Sequence, residues 1–253
     1  MNIDFKSIKQ NANGMLPVAT YEKIYSYAKN SQGDIVEVGT AHGAATICMA
    51  SAIEPGSGKV YTFEKIFGGS REKYGSVDDN IKIIKFNYEK FGVSDRIEQF
   101  IGDVVIEADK IKDLSSFSML MLDADGRIDR DFVLFYDRLK PGGYIIIDDC
   151  DDRIKVKLKS GIMLVDQKHK LTHLFIKKLE ALGFLEEVEI AGNTYFGRKP
   201  DSSGQSIQEL SILETSAIYA NLVFCHINYM DMMIKTFLYY LSRVKVKLGN
   251  IFK

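Results

Sequence analysis

The stretch DIVEVGTAHGAAT, residues 34–46, is an apolar run that ends in a glycine turn and opens directly into small helix-forming residues. Alternating β-branched residues before Gly39 read as a buried strand, and Ala44–Ile53 reads as a helix. Gly39 and Gly43 stand four apart at the mouth of that helix. A dinucleotide fold would place a glycine at position 41, so that the backbone could approach a pyrophosphate, and Ala41 stands there instead. The looser turn suits a small zwitterionic ligand without phosphates. Any tight strand-to-helix turn can also contain glycine.

Outward from this turn the same alternation repeats. Residues 59–66 (KVYTFEKI), 96–103 (RIEQFIGD), 118–125 (SMLMLDAD) and 144–149 (YIIIDD) read as strands, with helices over Asp78–Phe91 and Asp129–Leu139 between them. Strands alternating with helices predict a parallel sheet covered on both faces, and nearly continuous hydrophobic strands agree with that. A helix over Lys168–Leu182 ends at Gly183, and FLEEVEI and NTYFGRKP follow as an antiparallel hairpin at the sheet edge.

The chain has 253 residues, 46% hydrophobic, enough for a core and a helical lead-in over 1–33. Its formal net charge of -1 gives no ground for binding nucleic acid. Cys48, Cys150 and Cys225 have no CxxC spacing and read as buried free thiols in a reducing compartment. No secretory h-region follows Met1, and no run reaches the ~20 apolar residues of a spanning helix, so a cytoplasmic location is expected.

The domain is expected to close at residue 199, with a Pro/Gly/Ser-rich linker over 200–206 and a helical extension over 207–253. That extension turns basic and aromatic toward its end. Packing on its own domain, a homodimer interface through 207–241 and peripheral contact with the inner face of a membrane through 235–253 all fit it.

The acids fall at strand ends. Glu64 closes the second strand, where a carboxylate can accept ribose hydroxyls; it can equally be a solvated strand end beside Lys65. Asp103 closes the third, placed to reach an adenine amino group. The fourth strand ends in LDADG with Asp123 and Asp125, and the fifth in IIDDC with Asp148 and Asp149. Should these two strands be neighbours, their carboxylates would need a counter-charge, and an oxygen-only set suits a hard divalent ion such as Mg²⁺. Helix capping, or pairing with Arg127, Arg130 or Arg153, is the alternative for them.

In order and spacing over residues 30–150, these segments resemble the class I S-adenosylmethionine-dependent methyltransferases. Within them the chain is similar to the metal-dependent O-methyltransferases of the catechol, caffeoyl-CoA and macrolide-sugar kinds. The resemblance implies a doubly wound α/β fold with a seven-stranded sheet in the order 3-2-1-4-5-7-6, the last strand antiparallel. It implies that Glu37, Gly39, Thr40 and Gly43 hold the methionine part of S-adenosylmethionine, with Asp123 beside it, Glu64 at the ribose and Asp103 at the adenine. It also implies Asp123, Asp148 and Asp149 as metal ligands. The acceptor would be a hydroxyl of a sugar, polyol or natural product, carried on a small molecule or a glycan.

The catechol-type enzymes carry a lysine three positions after the first metal Asp, and here Gly126 stands there. Asp125 and His42 are therefore the candidate catalytic residues. His169 and His173 lie four apart and read as a solvated helical face, since no third zinc ligand is evident. A non-catalytic S-adenosylmethionine-binding protein and an NAD-dependent oxidoreductase are the rival readings.

Overall fold

The computed structural model describes residues 3–66, 75–123, 128–151, 155–157, 163–201 and 206–207. Seven strands form one sheet: β1 (Ile35–Val38), β2 (Val60–Glu64), β3 (Ile97–Ile101), β4 (Phe117–Leu122), β5 (Leu139–Ile147), β8 (Glu186–Ala191) and β9 (Thr194–Arg198). Their spatial order is β3-β2-β1-β4-β5-β9-β8. The first five pair in parallel, β9 runs antiparallel to β5, and β8 pairs antiparallel with β9. This is the expected 3-2-1-4-5-7-6 arrangement. A short hairpin of β6 (Lys155–Lys157) and β7 (Met163–Val165) was not anticipated in the charged segment after Asp149.

Period-two alternation sends each strand's side chains to two separate cores. Val36, Val38, Leu120, Leu122, Ile145 and Ile147 pack on one face, with α6 (Ile128–Phe135) and α7 (Gln167–Ala181). Ile35, Met119, Met121 and Ile146 pack on the other, with α1 (Phe5–Asn11), α2 (Val18–Ser31), α3 (Ala44–Ala52) and α4 (Val77–Lys90). Position 37 shares the face of Ile35, so the alternation that buries Ile35 also carries a glutamate under α3.

The helix starts have identifiable causes. Ser76 and Asp79 form a reciprocal capping box at α4. Asp166 caps α7 by accepting from the backbone N–H groups of Lys168 and His169 at 2.9 and 3.3 Å. At α3, Gly43 takes the cap position with φ +90°, and a Cβ there would lie 2.6 Å from the Tyr88 ring. Glycine is required at this turn on both counts.

On the far side of the sheet, Lys199 is buried and donates to the carbonyls of Tyr136 and Leu139 at 3.0 and 2.9 Å, its ammonium 4.4 Å from the Tyr136 ring centre. This fastens the end of β9 to the start of β5. Cys48 and Cys150 are free and buried, as expected; Cys225 lies outside the described residues, as does the extension beyond 207. No helix among the described residues is long and apolar enough to cross a membrane.

Candidate functional site

The glycine turn and four strand ends meet along the carboxyl edge of the sheet, where open α/β folds bind ligands. Glu37 is fully buried. Its Oε2 accepts from Thr46 of α3 and Thr62 of β2, each at 2.6 Å. Because Thr62 spends its proton on the carboxylate, Thr40 must be the donor in the 2.5 Å Thr40–Thr62 contact. A hydroxyl relay therefore ties the turn to the acid. Oε1 of Glu37 is buried with no hydrogen-bond partner among the described residues. Burial pushes this carboxyl up to about 7, against the two threonine bonds that lower it.

Glu64 is also buried, and it accepts from two backbone N–H groups: Ala41 at 2.7 Å and Ile66 at 3.0 Å. It is not a solvated strand end. It holds Ala41 in a left-handed conformation, φ +50°, within the turn. A carboxylate has further lone pairs, so a ribose contact is compatible with these bonds.

Asp103 caps the short helix α5 (Val104–Glu107) through Val105 N–H at 3.1 Å, and its other oxygen lies 3.3 Å from Lys65. The cap bond, more than the two cations beside it, holds its pKa below the ordinary carboxylate value. His42 is buried, with Nδ1 3.2 Å from the Asn13 amide nitrogen and Nε2 3.2 Å from the Asn80 carbonyl oxygen. Asn80 gives its own amide to Ser76, which fixes its orientation and leaves His42 protonated at Nε2. Both ring nitrogens thus bridge the α1–α2 loop to α4, which is a structural role for this candidate base. Asp125, the other candidate, lies outside the described residues.

Asp123, Asp148 and Asp149 come together as the strand ends implied: one oxygen from each lies within 4.8 Å of the others. Asp123 N–H bonds Val38 at 2.8 Å, and Asp148 N–H bonds Leu122 at 3.0 Å, which continues the ladder past the strands. Burial raises Asp123 well above the carboxylate range, and Asp148 and Asp149 raise it further. Burial raises Asp148 too, opposed by the 2.7 Å bond from Thr194 of β9. Asp149 adopts φ +58°, a left-handed conformation that Asp and Asn tolerate best among residues with a Cβ.

Four side chains neighbour the cluster, and three of them, Lys168, Asn193 and Thr194, were not singled out from sequence. Thr194 bonds Asp148, and Asn193 lies 3.5 Å from Asp149. From the first turn of α7, Lys168 forms an ion pair with Asp149 Oδ2, and His169 Nε2 lies 3.0 Å from Oδ1. The expectation of a solvated face for the α7 histidines is thus corrected. His169 is nearly buried against the acids, and His173 Nδ1 sits 3.9 Å from the Cys150 thiol. The helix is oriented by its apolar face, Leu171, Phe175 and Leu179, and that face turns its first residues onto the strand ends.

Residues 36–150 match the family described as a methyltransferase domain. The sheet order of the described residues is that of the methyltransferase α/β fold, and the match spans β1 to the end of β5. Solved structures share the fold at low identity. One is the O-methyltransferase TomG from Streptomyces achromogenes, involved in tomaymycin synthesis and in complex with S-adenosylmethionine. It is 16% identical, with 79% of this chain and 91% of that chain covered at a TM-score of 0.57. Another is an O-methyltransferase from Bacillus cereus in complex with S-adenosylhomocysteine, 18% identical, covering 79% and 93% at a TM-score of 0.55. The S-adenosylhomocysteine-bound methyltransferase PaMTH1 from Podospora anserina is 16% identical, covering 79% and 89% at 0.54. No curated protein matches the sequence.

Proposed function

We propose that this methyltransferase is a divalent-metal-dependent O-methyltransferase that moves the methyl group of S-adenosylmethionine to a hydroxyl of a sugar, polyol or natural-product acceptor. The observation that carries the proposal is the convergence of Asp123, Asp148 and Asp149 at the ends of β4 and β5. The donor set fits a hard cation: oxygen ligands, an excess of negative charge, and carboxyls whose buried ionised forms are unfavourable without a positive partner. The names of solved relatives, O-methyltransferases among them, support the reaction class.

Glu37 supports the donor. A buried acceptor with one oxygen unpartnered is suited to the ammonium of the methionine moiety, whose charge keeps the carboxyl ionised near neutral pH. The transfer forms a C–O bond, breaks the C–S bond of the sulfonium, and releases the acceptor proton. A divalent ion at the three acids would supply orientation of the acceptor hydroxyl and a lowered pKa for it. The chain's own part is positional. Glu37 and the glycine turn would fix the donor, and Asp123, Asp148 and Asp149 would hold the ion, with Asp148 oriented by Thr194. The preference for a vicinal diol or sugar rests on chelation chemistry and on Gly126 standing where catechol-type enzymes have lysine.

The test is methyl transfer by the full chain across a panel of sugars, polyols and catechols, read as S-adenosylhomocysteine release. Chelation is expected to abolish turnover, Mg²⁺ to restore it, and Asp148→Asn to lower it by about a hundredfold or more while S-adenosylhomocysteine binding persists. Turnover indifferent to chelator removes the metal from the proposal. Tight cofactor binding with no acceptor turned over favours a binding protein instead.

A further inference from the structure

The acid cluster already has a cation of its own, and it comes from outside the strand-end motifs. Lys168 pairs with Asp149 Oδ2 while His169 approaches Oδ1 at 3.0 Å and Asn193 lies at 3.5 Å. Both oxygens of the third acid are therefore engaged by side chains of α7 and the β8–β9 turn. Lys168 also acts on Asp123 and Asp148, whose acidity it restores in part. Its position is held by the Asp166 cap, which accepts from its backbone N–H at 2.9 Å.

Resting on the proposed metal reading, we infer that Lys168 is the resident counter-cation of this cluster and competes with the divalent ion for Asp149, which sets how tightly the ion is held. With Lys168 in place, Asp123 and Asp148 are the acids left to grip the ion, and Asp149 contributes fully when the ammonium gives way. Two cations cannot share one carboxylate at this range without repelling each other, even with the screening of a half-exposed lysine. Such a site binds its metal weakly and exchanges it readily, and Lys168 is a positioning residue within it.

The experiment titrates Mn²⁺ into the full chain with S-adenosylhomocysteine present, reading free ion by electron paramagnetic resonance. Lys168→Gln is expected to tighten Mn²⁺ binding by about tenfold or more, and Lys168→Arg to stay within about twofold of the unaltered protein. Equal or looser binding by Lys168→Gln overturns the inference and leaves the metal reading standing. Absence of Mn²⁺ uptake by every form overturns both. Should Lys168→Gln fail to fold, amine labelling of the unaltered protein with peptide mass spectrometry decides. Saturating Mn²⁺ is expected to speed labelling of Lys168 severalfold, and an unchanged or slower rate overturns the competition.

Discussion

Glu37 shows how one side chain links the fold to the ligand. Strand alternation buries it, and the threonine bonds satisfy one oxygen and leave the other. The folded protein holds this proton more tightly than the unfolded chain, so ν is larger in the native state and stability falls as pH rises. The contribution is complete below an ordinary carboxyl value near 4.5 and is lost as pH passes through about 7, a span worth roughly 3 kcal/mol. A cationic ligand reverses the preference. S-adenosylhomocysteine is therefore expected to bind more tightly as pH rises from about 6 to 7.5, then level off. Glu37→Gln is expected to flatten that profile in calorimetric titration and to weaken binding about tenfold or more. The same variant is expected to melt higher than the unaltered ligand-free protein at pH 8, because the buried charge is gone.

At the scale of elements, the join between β1 and α3 is the least forgiving. Gly43→Ala places a methyl 2.6 Å from the Tyr88 ring at φ +90°, and is expected to cost about 2–4 kcal/mol in denaturant unfolding. Adding Tyr88→Leu is expected to recover the steric part and leave the conformational part. The strands of this region were legible because period-two burial and glycine punctuation are local: β1 to β3 fall within the runs read from sequence and β4 starts one residue before its run. By contrast, β5 starts at Leu139, five residues early, where a helix was expected to end. The site was legible where it depends on strand ends, as with Asp123, Asp148 and Asp149. It was not legible where a distant element closes on them. Lys168 and His169 look like any polar first turn, and their meeting with Asp149 follows from how α7 packs, a long-range fact without a local signature. Glu64 likewise reads as exposed beside Lys65, since its two backbone donors come from the chain curling back around it.

For the whole molecule, Ile207 is the last core member among the described residues, buried and with its N–H held by Asp137 at 2.8 Å. A chain ending at Ile207 is expected to bind S-adenosylhomocysteine as the full protein does, and a melting temperature lower by more than a few degrees would assign 208–253 to packing on its own domain. Vesicle co-sedimentation and sedimentation velocity of the two forms would then assign 208–253 to membrane contact or to dimerisation. The unpaired oxygen of Glu37 has a consequence at the scale of the cell. A protein that carries an unmet acceptor at its centre reaches its full stability only with a ligand aboard, and occupancy adds a free energy that grows with the logarithm of ligand concentration. Its lifetime against proteolysis would then follow the supply of methyl donor, so that abundance itself becomes a readout of methylation capacity.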